Sequence, residues 1–242
     1  MSRAAAAVAA AGAIALLLGA CETTQQRSAA IARQLRHQNA FTAITGLGAA
    51  NHDVRISRAV LLTAGGQSAV ALALTNTSAT AQVALPVLVA VLDARGRTIY
   101  RNDTRGIEPS LQQLALLGAH QTAWWVDNEV LAGGVPTRVS GELGAATAAA
   151  PTRLPAITTS GVSASNDFPG PHVSVTVTNH SALAQAELPV YAVALHGATV
   201  VGAGRAIVAS LAPGASTPVL IPMIGSVSAA TVALTVPATA VR

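Results

Sequence analysis

The chain of 242 residues has one cysteine, no lysine, almost no aromatic side chains and few charges. One cysteine excludes an internal disulfide, and a leftover cysteine in an exported chain asks for an explanation of its own. Without lysine, every cation except histidine is an arginine, and the high isoelectric point of about 10.5 follows from that. The arginines are scattered and never form a run of five or six, which excludes a nucleic-acid-binding patch. Aromatics at 2% leave aliphatic side chains to build the interior. Charged residues at 10% fall well below the roughly one quarter of ordinary chains. Low charge with abundant Val, Thr, Ala and Gly argues for a folded chain, because disorder needs the opposite balance.

The start of the chain is a targeting segment by pattern. Arg3 gives a short positive end, and residues 4–18 carry no charge. That run fits the apolar region of a signal peptide and is short for a permanent membrane-spanning helix. It closes on Leu18-Gly19-Ala20-Cys21. This stretch resembles the lipobox of bacterial lipoproteins. The resemblance implies cleavage before Cys21, a lipid on its thiol and anchorage to a membrane of the cell envelope, on the outer side of the cytoplasmic membrane or in the outer membrane. An ordinary secretory signal cut nearby is the competing reading. On this plan residues 1–20 are the signal peptide and residues 21–53 a polar, flexible tether.

From Val54 onward the texture is short, alternating and rich in β-branched residues. Val70, Leu72 and Leu74 share one face, as do Val173, Val175 and Val177. Thr75-Asn76-Thr77-Ser78 is answered by Thr178-Asn179-His180-Ser181, and Leu85-Pro86-Val87 by Leu188-Pro189-Val190 at the same spacing. A shared offset across three matches points to an internal duplication. Pro86 is expected at the first residue of a strand or on an edge, since proline cannot donate to a ladder. The expected fold is all-β: two tandem immunoglobulin-like β-sandwich modules, residues 54–145 and 154–242, joined by an alanine- and proline-rich linker at 146–153. The strand and turn order is similar to immunoglobulin-like modules of bacterial envelopes, of the FxLyD or bacterial cell-adhesion-related type. That resemblance implies spacing, adhesion or docking without a common catalytic activity.

Candidate chemistry is thin. None of the six histidines lies at a metal-ligand spacing, no serine sits in a Gly-x-Ser-x-Gly elbow, and neither a metal nor a cofactor is expected. The interleaved Asp and Arg residues between Asp93 and Glu108 read as solvated ion pairs. The candidate binding surface is Trp124, Trp125, Asp127 and Glu129, where an aromatic plane and acids could meet a carbohydrate or a peptide. Adjacent residues of a strand point to opposite faces, so one tryptophan is expected in the core and the other outside or beneath the neighbouring module. The leading expectation is a non-enzymatic envelope protein held to the membrane by lipid on Cys21. It would present a surface to a protein partner or the cell wall. A carbohydrate-binding lipoprotein is the alternative, and a hydrolase is disfavoured.

Overall fold

The computed structural model describes residues 47–104, 107–168 and 170–241. Cys21, the signal segment and most of the tether lie outside the described residues. The described chain is all-β, as its alternation predicts. The first set of strands is β1 (Val54–Ala64), β2 (Gln67–Asn76), β3 (Gln82–Leu92), β4 (Thr98–Arg101), β5 (Gln113–Leu117), β6 (Thr122–Asp127) and β7 (Arg138–Leu143). The second is β8 (Ile157–Ser165), β9 (His172–Asn179), β10 (Gln185–His196), β11 (Thr199–Leu211), β12 (Ser216–Gly225) and β13 (Thr231–Thr235).

The register shows the duplication strand by strand. Val54 pairs with Asn76 as Ile157 pairs with Asn179. Leu72 pairs with Trp125 as Val175 pairs with Val219. Leu85 pairs with Leu114 as Leu188 pairs with Val208. Each copy therefore joins its first two strands to a later one, β1-β2-β6 and β8-β9-β12. The opposing layer is the separate sheet β4-β3-β5, with β7 on β3, in the first copy. In the second it is β13-β10-β11, joined through β11-β12 into one six-stranded sheet, β13-β10-β11-β12-β9-β8. One difference separates them. The first copy leaves its sheet after Arg101, makes a 3-10 turn at Pro109–Leu111 and returns as β5. The second runs through the same place unbroken as β11.

The Asn turns repeat down to single bonds. Asn76 Nδ2 donates to the carbonyls of Thr80 and Gly118, and its Oδ1 accepts from Ser78 N and Oγ. Asn179 Nδ2 donates to Leu183, Leu211 and Ala212, and its Oδ1 accepts from Ser181 N and Oγ. Asparagine is suited to this place because it supplies donors and an acceptor in one short side chain.

Pro86 lies inside β3 rather than at its start. The β7 ladder on β3 begins at Val87, and Ala84 just before adopts φ +50°. The proline sits where that ladder ends, so its missing N–H costs no bond. Pro189 follows Glu187 at φ +48° in the same way. The segment between the copies also touches the first one: Thr147 N and Oγ1 both donate to Ala84 O, and Ala148 N to Val83 O.

The two copies share buried surface. The larger apolar cluster combines Leu72, Leu85, Val89 and Trp125 with Tyr191, Val193, Val200, Ala203 and Ile224 of the second copy. On β2, Val70, Leu72 and Leu74 alternate with Ala69, Ala71 and Ala73, all buried. The larger set pairs in register with Asp127, Trp125 and Ala123, on the face turned to the interior of the first copy. The alanines face the second copy, and their small size lets two sheets approach closely. β10 is likewise buried on both faces. Three sheets thus supply the layers, the six-stranded one folding over at β11–β12 to give two of them. Each fully buried Leu or Val contributes roughly 1.5–3 kcal/mol. The two inner sheets cross steeply: Trp124 N donates to Thr235 Oγ1 and Asn128 Nδ2 to Arg205 O, and Thr235, Tyr191 and Arg205 are neighbours across three strands. β6 therefore runs across the facing strands, as in orthogonal sheet packing.

Candidate functional site

The four residues singled out by sequence lie on or just beyond β6, and the pleat separates them. Trp125 and Asp127 share the inward face with Leu72 and Val70, and both are fully buried. Trp125 Nε1 donates to Ser110 O at 3.1 Å. Asp127 accepts from Tyr100 OH at 2.5 Å and from Glu129 N at 2.9 Å. Trp124 points the other way and is half-buried. Glu129 lies past the strand end, partly open to solvent. The tryptophan pair divides as alternation predicts, and the ring of Trp125 and the carboxylate of Asp127 are interior groups.

What joins the copies is Arg205, in the Gly204-Arg205-Ala206 stretch of β11. Its side chain is 3% exposed. Nη1 and Nη2 donate to the two oxygens of Glu108 at 3.0 and 3.2 Å, a fork on a carboxylate. Nη2 also donates to Glu129 Oε1 at 2.6 Å, and Nη1 to Ser110 Oγ. Tyr191, paired with Arg205 across β10 and β11, donates its hydroxyl to Ser110 O at 3.0 Å. Glu108 and Ser110 come from the excursion that only the first copy has. The excursion is stapled by buried Asn102, whose Nδ2 donates to Val87 O and Leu111 O while its Oδ1 accepts from Val89 N.

Compared with known proteins, the chain matches no family model and no curated sequence.

The electrostatics follow from burial and pairing. Burial acts most strongly on Arg205 and works against its charge, but hydrogen bonding and attraction from Glu108, with Glu129 behind it, outweigh that and hold its pKa above the ordinary value. Burial pushes the Asp127 carboxyl above the usual carboxylate range, against the hydrogen bonds from Tyr100 and Glu129 N. Burial raises Tyr100 and Tyr191 too, and the Asp127 carboxylate adds to the rise at Tyr100. No buried side-chain polar atom among the described residues is left without a partner. Ser110 Oγ donates to Glu108 and accepts from Arg205, so its hydroxyl is committed to the ion pair. The arrangement does the work of a clamp: three charges and a hydroxyl fix one copy against the other.

Beside the clamp runs a groove of about 200 Å³. The excursion lines it with Glu108, Pro109 and Ser110, and the second copy with Ala186, Glu187, Pro189 and Thr239. Among the described residues no cluster of three or more His, Cys, Asp or Glu is placed to hold a metal. Sequence reading missed Arg205, Tyr100, Tyr191 and Ser110. The one signal present was isolation: Arg205 is a single charge inside a long apolar and glycine-rich stretch, and such a charge needs a partner when buried.

Proposed function

We propose that this is a lipid-anchored, non-enzymatic protein of the cell envelope, a rigid docking or spacer unit for a protein partner or the cell wall. The observation that carries this reading is the Arg205 clamp. It commits the buried charged groups between the copies to holding two sandwich-like bodies in one fixed relation, at the end of a tether that follows a lipobox-like sequence. A fixed double body favours presentation of a surface, and a groove at the seam is where such a surface offers concavity. The carbohydrate alternative needs an open aromatic face. Trp125 is fully buried and Trp124 half-buried, so it draws less support.

The test has two parts. Mass spectrometry of the mature N-terminus should find Cys21 as the first residue, carrying lipid; an unmodified Cys21 would remove the anchor. Crosslinking in the native membrane from a photoreactive group at Glu187, in the seam groove, should capture one defined partner. Capture that does not depend on that position would remove the docking role.

A further inference from the structure

One end of the first copy carries a surface that its fold does not require. There the β3–β4 hairpin, residues 93–97, meets the loop from β6 to β7, residues 128–137. Leu131 is 88% and Val135 77% exposed. The loop that bears them is held down: Gly133 N donates to Ile99 O at 3.0 Å, Thr137 N to Leu92 O at 2.9 Å, and Val130 is buried in the core. The hairpin carries Arg95 and Arg97, and Arg138 follows the loop as the first residue of β7. The Arg138 guanidinium lies over the hairpin turn, where a Cβ on Gly96 would come within 3.4 Å of Nη2. Arg97 is neutralised by Asp93 at 2.7 Å, and Asp93 also accepts from the backbone N–H groups of Arg95 and Arg97. Arg95 and Arg138 have no ion pair among the described residues. The nearby acids Asp127 and Glu129 are engaged with Tyr100 and Arg205.

The second copy supplies the control. Its matching end is the His196-Gly197 turn and the loop Ser226-Val227-Ser228-Ala229-Ala230, leading into Thr231. Val227 is buried, as Val130 is, and neither segment carries an arginine or an exposed Leu or Val of its own. Arg58 of the first copy reaches over to Ala198 O beside this turn, and the exposed large side chain at this end is Phe168, on the neighbouring β8–β9 turn. These two segments close without such residues of their own, so the frame itself does not require Leu131, Val135, Arg95 and Arg138.

We infer that this tip is a second membrane contact, docking on an anionic lipid surface. Two uncompensated guanidinium groups suit lipid phosphates, and aliphatic side chains held on a fixed rim suit the headgroup–acyl boundary. The inference rests on the anchored reading for delivery to the membrane. Between Cys21 and Leu47 the chain can span at most about 90 Å, enough for the tip to reach the bilayer that would hold the lipid. The contact would set the body's orientation, which a lipid on a long tether leaves free.

The experiment uses the full lipidated chain carrying Leu131→Cys, labelled with an environment-sensitive fluorophore and reconstituted into vesicles of phosphatidylcholine alone or with phosphatidylglycerol. Ser160→Cys, on exposed β8, is the control. Leu131 is exposed, so its replacement does not threaten folding. The label at Leu131 should shift to the blue in phosphatidylglycerol vesicles and stay unshifted in phosphatidylcholine, with no shift at Ser160 in either. Arg95→Glu with Arg138→Glu should lower the ratio of inserted to solvated label at least about tenfold, each cation being worth about fivefold near an anionic surface. Equal emission in both vesicle types, or an equal shift at Ser160, overturns the inference. A shift that follows protein concentration at fixed lipid assigns the tip to a second copy of the chain and overturns it too. The N-terminal mass, measured on the same sample, separates failure of the anchor from failure of the tip.

Discussion

Arg205 and Glu108 face each other across the seam between the copies, fork to fork, at 3.0 and 3.2 Å. The pairing is unequal. The arginine side chain is 3% exposed, whereas the carboxylates of Glu108 and Glu129 are 31% and 59% exposed. Removing an acid leaves a buried cation short of a partner, while removing the cation leaves acids that water can reach. Glu108→Gln should therefore cost about 3 kcal/mol, the low end for breaking a buried pair because Glu129 remains. Arg205→Met should cost less. Urea denaturation of both variants checks the order, and a larger loss for Arg205→Met would contradict it.

The two Asn turns give a matched pair of substitutions. Asn76→Ala and Asn179→Ala each strand several buried backbone groups, and each should cost about 3 kcal/mol. Asn→Asp should not rescue either, because a carboxylate cannot donate to the carbonyls that Nδ2 satisfies. Chemical denaturation of the four variants tests whether the copies respond alike.

Asp127 gives a pH prediction with a definite sign. Its folded pKa is raised from 3.8 by burial. An acid raised in the folded state favours folding when protonated, so that contribution is whole below 3.8 and is lost as pH climbs through the raised value. Asp127→Asn keeps an oxygen for Glu129 N and does not ionise. The stability of the parent minus that of Asp127→Asn should fall as pH rises from 3.8 and then level off. A difference that grows with pH would refute the assignment.

The chain has only two tyrosines, and both are pushed upward by burial. Their stabilising effect is present below the ordinary value of 10.0 and lost above it. Absorbance titration should show no phenolate in the folded protein at pH 10, and both rings ionising together when the chain unfolds.

Gly204 marks where β11 crosses onto β12. A Cβ there would meet Pro222 O at 2.1 Å, and one on Gly225 would meet Val201 O at 2.3 Å. Neither obstacle is a flexible side chain. Gly204→Ala should cost more than about 2 kcal/mol, because overpacking forces backbone to move. Thermal unfolding compared with Gly214→Ala, whose Cβ would meet nothing within 4 Å, separates crowding from loss of glycine's freedom.

Much of the fold was readable because it rests on local signals. Alternating valines and leucines specified strands, and the Asn turns carried the repeat because the same polar groups must be satisfied twice. The opposite facing of Trp124 and Trp125 followed from the pleat. β8 was not read, since its Ser and Thr residues lie on an exposed edge where no apolar periodicity is needed. Pro86 was misplaced because positive φ at Ala84 leaves no mark in an alanine. The clamp was hidden for another reason. Glu108 and Arg205 lie far apart in the chain, and only the steep crossing of two sheets brings them together.

The entry of the chain into the first copy has a mechanical consequence. Residues 49–51 lie antiparallel to 143–145: Asn51 N donates to Leu143 O and Ala145 N to Ala49 O. Any pull arriving from the N-terminal side of residue 49 loads this short stitch before it reaches either hydrophobic interior. The body would then yield first at its hem, paying out a little slack while the paired copies stay intact.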